Sequence, residues 1–201
     1  MGGRGASSGA GGMSAVLRAT LGKRTKPKDG TLENIRDVCK QVNPNFGKNG
    51  KSYTHNCQRC VYGYEESRRG YSVEALSYQG KGDDMFAGGR WMKMYEGQRW
   101  ERNLGNRTAK VAQAIKEKMT NWGEGSRAVV YVAWKGGSAH VFNVEQTAEG
   151  TIGIDAQTGK AGHTLLDRYI SDAKPSSVMI SRVDNLKEKD DMSYALKRKG
   201  T

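Results

Sequence analysis

The spacing of apolar residues changes period several times along the chain, and each change marks an element. From Thr31, Leu32, Ile35, Val38 and Val42 recur at helical spacing until Asn43-Pro44, which predicts a helix capped by Thr31. A polar loop over residues 45–56 leads into a second helical segment over 57–69. There Cys60, Val61 and Tyr64 share a face, and Gly70 ends the run. Tyr71, Val73 and Ala75 then alternate with Ser72, Glu74 and Leu76, as in a short strand. From Asn106, Val111, Ile115, Met119 and Trp122 form the stripe of an amphipathic helix, broken at 123–126. Three β-rich runs follow at 128–134, 139–145 and 150–155, separated by Gly136-Gly137 and by 146–149, and they predict an antiparallel meander. A short helix after Thr164 and a strand over 178–183 complete an α+β pattern.

Three stretches fall outside this pattern. Residues 1–30 are rich in Gly, Ser and Ala, then turn basic, with too few large apolar side chains to offset the entropy of ordering them, so a disordered tail is expected. Its opening, GGRGASSGAGG, is similar in composition to glycine-rich segments of some phage structural and phage-associated proteins. Residues 80–105 hold glycines, Asp83, Asp84 and the cluster Trp91, Met92, Met94, Tyr95 and Trp100, and read as an insertion or lid. Residues 184–201 read as a charged C-terminal tail, which leaves 31–183 as one folded domain. The net charge of +12 is concentrated at the ends. Residues 1–28 carry +6 and residues 182–201 carry +2, so weak nucleic-acid binding is expected of the basic tail rather than of the domain.

The longest uncharged apolar run, 128–134, is far shorter than the roughly 20 residues of a spanning helix, so no membrane segment is expected. The N-terminus lacks the apolar block of a secretory signal. Three cysteines, Cys39, Cys57 and Cys60, cannot all pair within one chain, which favours free thiols in a reducing, cytoplasmic compartment.

The candidate chemistry centres on Cys57, which falls where the polar loop gives way to a helix. A thiol there faces the positive end of the helix dipole, and such sites lower cysteine pKa values from about 8.5 into the range of roughly 3.5 to 7.5. Cys60, one turn further in, and Cys39, in the first helix, are read as structural. His140 shares a strand face with Phe142 and Val144, and alone would be a hydrogen-bonded core histidine. If the following turn is centred between Thr147 and Ala148, however, Asp155 falls directly across from His140, within reach of an imidazole–carboxylate hydrogen bond. Gln157 lies two residues on, close enough in sequence to add a further hydrogen bond.

The ordered series Asn56-Cys57-Gln58-Arg59-Cys60, Arg68-Arg69-Gly70-Tyr71, His140-Val141-Phe142-Asn143 and Asp155-Ala156-Gln157 resembles the papain-fold toxin family over about residues 42–159. That family is marked by an N-C-x-x-C helix start, an R-R-G-Y strand entry, an H-x-F-N strand and a D-x-Q turn. The resemblance implies a papain-like cysteine hydrolase fold, with Cys57 as nucleophile, His140 as general base and acid, and Asp155 as the orienting residue. The family includes glutamine deamidases acting on host proteins. The implied function is therefore conversion of a protein glutamine to glutamate through a thioester, without metal or cofactor. An immunity or inhibitor protein and delivery into a target cell are the corresponding partner and route. The backbone N–H of Cys57 is the first oxyanion donor to consider, and Asn45 and Asn56 are candidates for the second. Ala156 stands where the family commonly has proline, and 80–105 departs from its pattern.

Other readings compete. A cysteine protease or deubiquitinase-like hydrolase needs the same triad. His55 with Cys57 and Cys60 offers zinc-ligand types, but no second CxxC or HxxxH supplies a fourth ligand, and the H-x-E and P-C-x-x-C pair of zinc nucleobase deaminases is absent. Arg90, Trp91, Lys93, Tyr95, Arg99, Trp100, Arg102 and Arg107 alternate bases with aromatics as single-strand binding platforms do, which leaves a nucleic-acid-binding or phage structural protein as the reading outside enzymes.

Overall fold

The computed structural model describes residues 15–48, 51–83, 85 and 88–200. Its helices are α1 (Ala15–Leu21), α2 (Leu32–Val42), α3 (Cys57–Arg68), α4 (Thr108–Trp122) and α5 (Leu165–Asp172). Its strands are β1 (Val73–Ala75), β2 (Arg127–Ala133), β3 (Ala139–Thr147), β4 (Gly150–Asp155), β5 (Lys160–Gly162), β6 (Met179–Arg182) and β7 (Leu196–Arg198). The five central strands form an antiparallel sheet in the order β5-β4-β3-β2-β6, which contains the expected meander.

Helices cover both faces of this sheet. Ala128, Val130, Phe142, Val144 and Ile180 pack against Val111, Ile115 and Met119 of α4 and Leu166 and Ile170 of α5. Val129, Val141, Ile152 and Ile154 turn to the opposite side, where α2 and α3 lie. Because neither face meets water, β2 reads as a near-continuous apolar run, and the buried polar residues Asn143 and Glu145 of β3 are hydrogen-bonded to α3. Burying a Val, Ile or Met side chain completely contributes roughly 1.5–3 kcal/mol, so the two clusters supply the main stabilisation.

α3 lies at the centre, and its expected amphipathic character is corrected by the structure: every residue from Cys57 to Glu66 is buried. Its charges are tolerated inside because each has a partner. Arg68 pairs with Glu145 of β3 at 2.7 Å, and Tyr64 donates to the same carboxylate at 2.7 Å. Arg69 and Arg127 both hold Glu65, at 2.8 and 2.6 Å, and Arg59 holds Asp83 through two hydrogen bonds of 3.0 Å. Arg68 of the R-R-G-Y motif and Arg127 of β2 therefore clamp the helix to the sheet, while Arg69 ties its end to the Val183 and Leu186 carbonyls beyond β6.

The expected tails are shorter than the composition implied. Residues 1–14 lie outside the described residues, but α1 is helical, and an extended arm then runs past the end of α3. There Thr25 donates to Gly70 O from its backbone N–H at 2.8 Å and from its hydroxyl at 2.9 Å. Leu21 is buried in the main core, an anchor that average composition hides. At the other end β7 pairs with β1 in the register Val73↔Arg198, and Met192, Ala195 and Leu196 are buried, so residues 184–200 belong to the folded unit. The described residues of the segment 80–105 are packed rather than poised as a lid. Met85, Trp91, Met94 and Tyr95 are buried, and Trp91 stacks on Tyr131 of β2 with ring centroids 5.3 Å apart. With Trp91 and Tyr95 inside, the alternating bases and aromatics do not form an open stacking surface.

Candidate active site

Cys57 opens α3, so the N–H groups of Cys57 and Gln58 have no acceptor within the helix. Asn56 occupies the cap position without capping, because its side chain is engaged elsewhere. Its amide nitrogen donates to Asn43 Oδ1 at 3.2 Å and to Leu76 O at 3.0 Å, and its oxygen accepts from Gln157 Nε2 at 3.4 Å. Asn43 in turn donates to the carbonyl oxygens of Gln157, at 2.8 Å, and Tyr53, at 3.0 Å. These three buried amides tie the end of α2, the start of α3 and the turn after β4 together. The start of α3 keeps its unpaired N–H groups, and Cys57 is held at a fixed distance from the strand that carries Asp155. The Cys57 side chain is nearly closed over, at 8% exposure.

His140 enters β3 one residue after its start. The β3–β4 ladder pairs Asn143 with Ile154 and Thr147 with Gly150, so the turn is centred one residue later than expected, between Ala148 and Glu149. Thr147 Oγ1 accepts from Glu149 N, and Gly150 adopts φ +114°, a left-handed value that suits glycine at this point. Continued by one step, the ladder sets Asp155 across from Phe142, with His140 as its diagonal neighbour. A shift of this parity keeps both side chains on one face. His140 Nε2 lies 3.3 Å from Asp155 Oδ2.

The imidazole is boxed by aromatics. Trp134 stacks on it at 6.2 Å and 23°, and the Tyr169 ring meets it edge-on at 5.8 Å. Burial lowers the basicity of His140, but hydrogen bonding to Asp155 and to the Cys57 thiol outweighs it, and the pKa is pushed up to about 10. With Nε2 turned to the carboxylate, Nδ1 is the nitrogen left for the thiol. Asp155 is 2% exposed; burial raises its pKa, but the hydrogen bonds around it, led by that with His140, hold it below the usual carboxylate range. Its Oδ2 accepts from Tyr169 OH at 2.7 Å and Thr158 Oγ1 at 2.9 Å, and its Oδ1 from Gln157 N at 3.1 Å.

Residues 55–160 match the family model described as papain fold toxin 1, glutamine deamidase, a span of just over half the chain. The chain belongs to this papain-fold toxin family. No curated protein sequence matches it. Among solved structures, a variant of the Salmonella effector SpvD is similar, with 15% sequence identity, a TM-score of 0.47, and coverage of 84% of this chain and 87% of that one.

Within this papain-fold toxin, the other expected site residues are distributed as follows. The Asn56 and Gln157 side chains serve the amide network, which commits both N–H groups of Asn56 and corrects its candidacy as a side-chain oxyanion donor. Asn45 sits partly exposed in the turn after α2. Cys39 and Cys60 are buried, and burial pushes both thiols well above the ordinary range; Cys39 donates to the carbonyl of Asp155 at 3.3 Å. All three cysteines are free. Asn43, Trp134, Thr158 and Tyr169 escaped the sequence reading. Only Thr158 carried a local signal, as a hydroxyl residue three positions after an aspartate at a turn.

Proposed function

We propose that this protein is a cysteine-dependent glutamine deamidase acting on another protein. The observation that carries the proposal is the series of Cys57 at the start of a buried helix, His140 on β3 and Asp155 on β4, with His140 interacting with both. In this reading Asp155 keeps His140 oriented and protonated. The imidazolium sits beside the Cys57 sulfur, as an activated thiolate requires.

The thiolate attacks the carboxamide carbon of a substrate glutamine, and the oxygen takes up negative charge next to the backbone N–H of Cys57. When the tetrahedral intermediate collapses, the carbon–nitrogen bond breaks and His140 hands its proton to the departing ammonia. The resulting thioester is attacked by water that His140 deprotonates. The carbon–sulfur bond then breaks, releasing glutamate and restoring the thiolate and imidazolium. The low exposure of Cys57 supports a side-chain amide over a main-chain one, because an extended glutamine side chain reaches a recessed sulfur more easily than a flanked peptide bond does.

The test is to incubate the protein, or its Cys57→Ala variant, with soluble proteins from a candidate target cell and to map peptides by mass spectrometry. Specific glutamines converted to glutamate only by the wild type are expected. New chain termini without such conversions would replace this reading with proteolysis.

A further inference from the structure

Away from the active site, a cavity of about 150 Å³ lies between the N-terminal arm, α2, the end of α3 and the β1–β7 pair. Three lysines line it, Lys26 and Lys28 from the arm and Lys199 from just beyond β7, and no carboxylate does. The acid nearest in sequence, Asp29, is directed to Thr31 and Asn34 at the start of α2. Ser67 and Ser72 add hydroxyl groups to the lining, whereas the Thr25 hydroxyl is already given to Gly70 O. Lys199 already donates to Gln41 Oε1 at 2.9 Å, which holds its ammonium against α2.

Three exposed lysines line one small cavity, and ammonium groups together with hydroxyl donors suit an oxyanion. We propose that this cavity is a binding site for a phosphate-bearing anion, bridging the N-terminal arm and the C-terminal strand. Lysines bind phosphate as point charges, without the planar geometry a carboxylate–arginine pair demands. The volume sets the size of the ligand. It lies below the roughly 300–1,000 Å³ of pockets that enclose drug-sized molecules, so it takes one or two phosphoryl groups and not an entire nucleotide. Bound there, the anion adds to the docking that the arm already has through the contacts of Arg24 and Thr25 with Arg69 and Gly70, of Arg68 with the Lys28 and Asp29 carbonyls, and through buried Leu21.

The experiment is thermal unfolding of the full chain in inorganic phosphate or pyrophosphate, against sodium chloride at matched ionic strength. A saturable rise in Tm is expected with the phosphates only. The double variant Lys26→Gln, Lys199→Gln is expected to bind at least about tenfold more weakly, while the exposed Lys174→Gln binds as the wild type does. Both variants change exposed side chains, and an unaltered Tm in chloride establishes that they fold. An absent or non-saturating response, or an equal response in the double variant, overturns the proposal. So does a response to a short oligonucleotide or to phosphatidylserine vesicles with none to phosphate and pyrophosphate.

Discussion

Replacing Asp155 with Asn removes the negative charge 3.3 Å from His140 Nε2 while nearly preserving shape. Against the effect of burial, which lowers it, hydrogen bonding to the carboxylate and the Cys57 thiol raises the His140 pKa from 6.5 to about 10, a net of roughly 5 kcal/mol. Without the carboxylate, burial acts on the imidazole with less opposition, so the titration midpoint falls. The sign of the effect on stability follows. A histidine whose folded pKa is raised contributes stability that is fully present below about pH 6.5 and is lost as pH rises through about 10. Wild-type stability therefore declines across that window, and the Asp155→Asn decline is shallower. The variant is also less stable at neutral pH, because Tyr169, Thr158 and Gln157 N donate to the carboxylate that is lost. Turnover is expected to fall roughly 10²–10⁴-fold, with KM little changed. The assay is an NMR titration of the three histidines, with urea unfolding at the two ends of the window. A wild-type His140 midpoint near 6.5, or a midpoint unmoved by Asp155→Asn, would refute the reasoning.

Tyr169→Phe deletes one hydrogen bond to Asp155 and keeps the ring against His140. A loss of about tenfold in kcat at unchanged KM is expected in steady-state kinetics. Gly70→Ala places a Cβ 2.1 Å from Thr25 O at φ +102°, so the arm must leave; urea unfolding should show a loss of about 2–4 kcal/mol, and trypsin should cut at Arg24 and Lys28. Arg68→Ala leaves Glu145 buried without its cation and should cost about 3–5 kcal/mol by the same measurement, whereas Arg68→Met combined with Glu145→Leu should recover most of it.

The elements that the sequence made legible are those whose order is local. The Thr31 cap, the stripe of α4 and the β2–β3–β4 runs are written in consecutive spacing, and each formed within two residues of its expected bounds. The position of Cys57 at a helix start was legible for the same reason. What escaped depends on distant partners. β7 exists because β1 offers an edge more than a hundred residues earlier, and α1 is anchored at buried Leu21. The buried arginine–glutamate pairs made α3 read as half-exposed, since a charged residue resembles a solvated one until its partner is known. At the site, His140 and Asp155 were brought to one face by parity alone, and the turn was displaced by one residue because Gly150, not the centre of the loop, carries the left-handed backbone. Trp134 and Tyr169 reach the imidazole from a hairpin loop and from α5, which no single-strand pattern encodes.

The central claim is that Cys57 forms a thioester with a side-chain amide. It is tested most directly by running the reaction in ¹⁸O-labelled water and measuring the intact mass of a responsive target protein. Hydrolysis of the thioester places one solvent oxygen in the new carboxylate, so the target should gain about three daltons, against about one dalton in ordinary water. Both gains should vanish with Cys57→Ala and persist with Cys60→Ala. A target that is cleaved, or one that is deamidated equally by Cys57→Ala, would contradict the account.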